Sequence, residues 1–145
     1  MQIRQISIYL ENKPGQLGAI CRVLADADIN IAALSLADTS DFGILRMIVD
    51  DHEKAKGVLS SSGYATVVSE VVAVCVPDRP GGMAEVMSAI DKAGIDVEYS
   101  YAFAFHRGEK AVLVFSFSDA AAGAKALADA GFMTLAETEL KDIAK

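Results

Sequence analysis

Ile6, Ile8 and Leu10 alternate with Ser7 and Tyr9, the period of a strand with one buried face. The period then lengthens. Leu17, Ile20, Cys21 and Leu24 fall at i, i+3, i+4 and i+7, the apolar stripe of a helix. Between the two lies Glu11-Asn12-Lys13-Pro14-Gly15. Pro14 has a fixed φ and no N–H, which suits a first helical turn, and Gly15 would let a ligand or another backbone come close. A helix start of this kind offers N–H donors and a positive dipole end to a carboxylate or phosphate. A plain strand-to-helix turn would use the same residues.

The pattern occurs twice. Asp78-Arg79-Pro80-Gly81 repeats the junction 66 residues on, after Val72, Val74 and Val76 and before the stripe Met83, Val86, Met87 and Ile90. The match continues through Ala27/Ala93, Ile29/Ile95, Asn30/Asp96 and Ile31/Val97. The offset then becomes 68, with Ile44/Val112, Leu45/Leu113, Asp51/Asp119, Leu59/Leu127, Gly63/Gly131 and Tyr64/Phe132. The two extra residues are expected in a turn near His106-Arg107-Gly108, where an insertion is tolerated. The chain therefore reads as an internal duplication, residues 1–69 and 70–145.

In each copy the pattern predicts strand, helix, strand, strand, helix, strand. The first copy has strands over 2–10, 31–38, 43–50 and 64–69, with helices over 15–27 and from Asp51, a plausible N-cap, to Ser61. The second has strands over 70–77, 97–105, 109–117 and 132–140, with helices over 81–93 and 119–130. This order is that of the ferredoxin-like split βαβ fold, α+β, with helices on one face of an antiparallel sheet. Leu45, Met47 and Val49 alternate with Ile44, Arg46 and Ile48, and Leu113, Phe115 and Phe117 with Val112, Val114 and Ser116. Apolarity on both faces predicts central strands and a second covering layer.

Composition sharpens this. A unit of about 70 residues is marginal by itself, so fusion of two, and pairing of the product, would help. Hydrophobic residues make up 52% and mean hydropathy is +0.32, yet no apolar run is long enough to span a membrane. The surplus apolar surface is expected between units or between chains, in a homodimer. Tyr99, Tyr101, Phe103 and Phe105 form an aromatic stripe, read as core or subunit interface. A net charge of −7 argues against a nucleic-acid partner. Met1 is followed by polar residues and a short strand rather than a leader, so the cytoplasm is the expected location. Cys21 and Cys75 lack metal-ligand spacing and read as buried free thiols, and His52 and His106 stand singly, so no metal is expected. No nucleophile–base pair or phosphate loop is present, so no catalytic residues and no cofactor are assigned.

Asn-Lys-Pro-Gly-x-Leu, a helix, and then Ile29-Asn30-Ile31-Ala32-Ala33 within a βαββαβ unit resembles the ACT domain, and the resemblance covers both copies. The first copy is especially similar to the serine-sensing regulatory domain of phosphoglycerate dehydrogenase. The resemblance implies a regulator that binds an amino acid at the interface of paired domains and acts on a separate enzyme or pathway. Carried over by position, the ligand site comprises Asn12, Lys13, Pro14, Gly15, Gln16, Leu17, Asn30 and Ile31. In the second copy it comprises Asp78, Arg79, Pro80, Gly81, Gly82, Met83, Asp96 and Val97. An Asn amide can accept from an ammonium and donate to a carboxylate, whereas Asp78 and Asp96 suit an ammonium only, so the copies need not bind alike. Leu10 stands where the dehydrogenase domain has a ligand-contacting His, a departure that bears on serine as ligand. Asn30 and Asp96 also fit a purely structural role in turns. An assembly module with degenerate sites, or a small enzyme on the same fold, are the alternatives.

Overall fold

The computed structural model describes residues 1–11, 13–39, 41–104 and 110–143. The chain divides into two compact units, Arg4–Ser69 and Glu70–Ile143, the latter including Met1–Ile3.

The first unit contains β1 (Ile3–Glu11), α1 (Gln16–Asp26), β2 (Ile31–Thr39), β3 (Phe42–Val49), α2 (His52–Ser61) and the opening residues of β4 (Thr66–Pro77). β3 runs antiparallel to both β1 and β2, with Leu45 opposite Ile8 on one side and Leu36 on the other. Gln5 Nε2 donates to Ser69 Oγ at 3.4 Å, tying β1 to the start of β4. Ile6, Ile8 and Leu10 pack with Leu45, Met47 and Val49 against Ile20 and Leu24 of α1 and Ala55 and Leu59 of α2. Each such aliphatic side chain contributes roughly 1.5–3 kcal/mol on burial.

The second unit repeats the plan with the rest of β4, α3 (Gly82–Lys92), β5 (Val97–Ala102), β6 (Lys110–Phe117) and α4 (Ala120–Asp129). β6 lies antiparallel between β4 and β5. Val72, Val74, Val76, Phe115 and Phe117 face Val86 and Ile90 of α3 and Ala124 and Leu127 of α4. The Phe115 and Phe117 rings stack, centroids 5.4 Å apart. Each unit is thus a ferredoxin-like fold with its helices on one face. α2 and α4 start at Asp51 and Asp119, whose carboxylates accept from Lys54 N at 3.1 Å and Ala122 N at 3.0 Å, caps worth about 1 kcal/mol each.

The structure corrects several sequence expectations. The strands over 64–69 and 70–77 are one strand, β4, because no Gly, Pro, Asn or Asp lies between Thr66 and Val76 and the lone Ser69 does not make a turn. The strand over 132–140 is a single bridge, Thr134 to Val74, with Cys75 N donating to Met133 O and Leu135 N to Ala73 O, both at 2.9 Å. Helix formers then take over: Glu139 Oε1 accepts from Ala136 N at 3.1 Å, a 3-10 turn spans Glu137–Glu139, and α5 (Leu140–Ile143) follows. The strand expected over 97–105 stops at Ala102. Phe105 and the turn at His106-Arg107-Gly108 lie outside the described residues. Cys21 is half-buried rather than buried, Cys75 is buried, and neither is in a disulfide.

Candidate functional site

α1 begins at Gln16, one residue later than its sequence signal, and Pro14-Gly15 form the turn before it. Gly15 is left-handed at φ 87°, and a Cβ there would meet nothing within 4 Å. Its backbone angle therefore requires glycine, rather than a close approach. Gly81 repeats the geometry at φ 89°. Neither α1 nor α3 has a side-chain cap, in contrast to α2 and α4. Gln16 N donates back to Lys13 O at 3.4 Å and Gly82 N to Arg79 O at 3.0 Å, while the next N–H groups of a first turn have no partner within the helix and lie at its positive dipole end.

In the first unit that start borders a pocket of about 190 Å3 lined by Leu10, Glu11, Lys13, Gln16, Leu17, Leu36 and Gly43. The register explains the assembly. Leu10 lies opposite Gly43 at one end of the β1–β3 pair, and Leu36 reaches the same end from β2. Gly43 makes room for Leu36, since a Cβ there would stand 3.2 Å from Leu36 Cδ1. Leu10, Leu17 and Leu36 make the walls apolar, while Lys13 Nζ and Glu11 Oε2 pair at 2.7 Å on the exposed rim. The hydrogen bond and charge of Glu11 raise the pKa of Lys13 above the ordinary lysine value. The rim thus carries a cation and an anion side by side above an apolar floor.

Of the residues expected at the first-copy site, the structure brings Lys13, Gln16 and Leu17 to this pocket, with Pro14 and Gly15 in the adjoining turn. Asn12 lies outside the described residues. Asn30 and Ile31 are elsewhere: Ile31 pairs with Val49 at the opposite end of β2 from Leu36, about 17 Å along a strand. The Asn30 backbone is engaged there, with Asp50 N donating to Asn30 O at 3.2 Å and Asn30 N to Asp50 Oδ1 at 3.1 Å. Ser118 N donates likewise to Asp96 O at 3.1 Å, and Val97 opens β5 beside it. Leu36 and Gly43 were not anticipated, because they arrive through strand pairing. The signal for them was the parity of Leu34 and Leu36, which departs from that of Ala33, Ser35 and Ala37.

The second unit's junction is built differently. Asp78, Arg79 and Pro80 are exposed and Met83 projects to solvent, but Gly82 is buried. A Cβ on Gly82 would overlap the Pro77 carbonyl oxygen, so α3 starts directly on the end of β4. Arg79 Nη2 pairs with Glu85 Oε1 at 2.7 Å, in the first turn of the helix. Among the described residues, no group of three or more His, Cys, Asp or Glu is placed to hold a metal ion, and no helix is long and apolar enough to cross a membrane.

A family model described as an ACT domain pair matches residues 1–144. Protein BT0572 from Bacteroides thetaiotaomicron, a crystal structure, is similar with a TM-score of 0.90 and 36% identity, covering 97% of this chain and 96% of that one. The regulatory subunit of aspartate kinase from Thermus thermophilus is similar in fold, with a TM-score of 0.64 and 16% identity over 90% of this chain and 95% of that one. The regulatory subunit of aspartate kinase from Thermus flavus gives a TM-score of 0.59 at 17% identity, with the same shares covered. Among curated proteins none matches.

Proposed function

This chain belongs to the ACT domain pair family, and on that premise we propose that it is a ligand-binding regulator that senses a small amino acid and acts on a separate enzyme or pathway. The observation that carries the reading is the pocket at the start of α1, where an uncapped helix N-terminus meets apolar walls and a paired-charge rim. A ligand carboxylate would sit on the first-turn N–H groups, favoured by the dipole. An ammonium would meet Glu11, and Asn12, carried over by position, would add a hydrogen bond. About 190 Å3 is below the range of drug-sized pockets, roughly 300–1,000 Å3, which favours a metabolite of amino-acid size. Catalysis is not part of the proposal: the site offers binding groups and no nucleophile with a base. Two cysteines outside any disulfide suit a reducing compartment, and we place the protein in the cytoplasm.

A thermal-shift screen against the proteinogenic amino acids tests the reading. A ligand that binds the native state at 100 times its Kd stabilises it by about 2.7 kcal/mol, a shift of several degrees. The expected outcome is a rise with a small subset of amino acids. If none raises the midpoint at millimolar concentration, the chain is an assembly module instead.

A further inference from the structure

We propose that the groove between α1 and α2 is where the first unit holds the protein it acts on, and that this partner presents a helix with aliphatic residues along one side and an arginine or lysine at their edge. The inference rests on the regulatory reading above and names the surface that reading requires. Val23, Asp26 and Ala27 line one side of the groove and Val58, Ser61 and Ser62 the other, around about 360 Å3. None of them lines the pocket at the start of α1.

Each set falls at i, i+3 and i+4, so it shares one side of its helix. Val23, Ala27 and Val58 pack partly on the core beneath and form an apolar floor. The groove is shallow, whereas a small-molecule site encloses most of its ligand. Such a floor suits the i, i+3 and i+4 side chains of a docked helix.

Charge selects the kind of helix. Asp26 stands in the last turn of α1, at the negative end of the dipole, where a carboxylate is disfavoured and no basic residue offsets it. Asp28 follows in the turn beyond. Neither carboxylate has a hydrogen-bond or ion-pair partner among the described residues. The second unit builds the same fold with another choice. There Asp91 is followed by Lys92, which suits that pole, and Gly94 takes the place of Asp28. Ala89 and Ala126 stand where the first unit has Val23 and Val58. The fold therefore needs neither the two acids nor the larger apolar floor. The acids work against their own helix, a local conflict of the kind that marks a functional surface. A partner's arginine or lysine would lay its stem over the valines and its charge against Asp26. A second copy is the poorer occupant, since each chain carries a net charge of −7.

The test uses a helical alanine-based peptide with leucines at i, i+3, i+4 and i+7 and one arginine beside them. A control peptide has glutamate in place of the arginine. Amide NMR of the full chain reads where each binds. We expect the arginine peptide to shift Val23, Ala27, Val58 and Ser61 saturably, to leave Ala89 and Ala126 in place, and to bind at least tenfold more tightly than the control. Asp26→Lys and Val58→Ala each install the second unit's residue, so the fold should survive them. Both should weaken the arginine peptide, Asp26→Lys by roughly tenfold or more. Asp26→Lys should also raise the urea midpoint, because it takes an anion off the negative end of α1. Asp91→Lys makes the same change of charge on α3 and should alter binding little. Equal weakening by Asp91→Lys, or equal binding of the glutamate peptide, would overturn the inference. Shifts of Val23 and Val58 on dilution of the protein alone would put a second copy in the groove and remove the partner from it. No binding of the arginine peptide at 1 mM would overturn the groove as a docking site. The amino-acid thermal screen is read on the same chain without peptide, so the regulator reading can fail or stand apart from any of these results.

Discussion

At the end of α1 the first unit carries Asp28 in the left-handed region, φ 57°, where the second unit has Gly94 at φ 68°. The chain turns the same way in both: Ile29 N donates to Leu24 O at 3.0 Å, and Ile95 N to Ile90 O at 3.3 Å. An L-residue pays about 1–2 kcal/mol there, less for Asp than for most. Asp28→Gly removes that strain, at some entropic cost in the unfolded chain. We expect it to raise stability by about 0.5–1 kcal/mol, read as a higher urea midpoint at unchanged slope. Gly15→Ala runs in the opposite direction. Its Cβ would have space, yet φ 87° makes the change destabilising by about 1 kcal/mol. If Gly15→Ala were neutral, the junction would not need its left-handed turn. Neither angle could be read from residue types alone. Pro-Gly marked the junction, but it did not distinguish a glycine needed for φ from one needed for space.

At the scale of elements, the duplication made most of the architecture legible, because each copy served as a check on the other. The Asp51 and Asp119 caps, the two helical stripes and the strand parity all follow from it. Illegible were the places where neighbours decide. β4 runs through the boundary between copies, and 132–140 turns helical after one bridge. The pocket joins three strands, so two of its lining residues, Leu36 and Gly43, are distant in sequence from Pro14. The copies also exchange volume between elements. Where the first has Val49 on β3 and Ala55 on α2, the second has Phe117 on β6 and Gly123 on α4. A Cβ on Gly123 would overlap the Phe117 ring. Gly123→Ala should therefore cost about 1–3 kcal/mol by overpacking, and Phe117→Val a further cost through the cavity it leaves. The double variant restores the first unit's solution and should be more stable than the sum of the singles by at least about 1 kcal/mol. Additivity in denaturant unfolding would show that the two positions are not coupled.

For the whole molecule the question is association. The sequence pointed to the stripe Tyr99, Tyr101 and Phe103 as the surface needing a partner. Tyr101 lies opposite Val114 and Tyr99 opposite Ser116, on the face away from α3 and α4, and the tyrosines are half-buried and Phe103 buried. The exposed apolar residues lie elsewhere. β2 bonds to β3 on one side and heads the strand order, and among the described residues no strand pairs with its other edge. It carries Leu34 and Leu36, 42% and 49% exposed. An open edge with apolar side chains is a template for pairing with another chain, and a lysine placed on it is the usual block. Two identical edges can meet across a twofold axis, which satisfies both at once. We therefore expect a homodimer at micromolar concentration by sedimentation equilibrium. Leu34→Lys should raise its dissociation constant by roughly tenfold or more, since it deletes buried apolar area and sets like charges together across the axis. Salt supplies an independent check. Each chain carries a net charge of −7, so the two repel, and the Debye length falls from about 10 Å at 0.1 M to about 3 Å at 1 M. Dimerisation driven by apolar contact and backbone pairing should tighten as salt rises, whereas one held by ion pairs should weaken. A wild-type monomer at micromolar concentration in 0.5 M salt would rule the pairing out, and a dimer indifferent to Leu34→Lys would place it on another face.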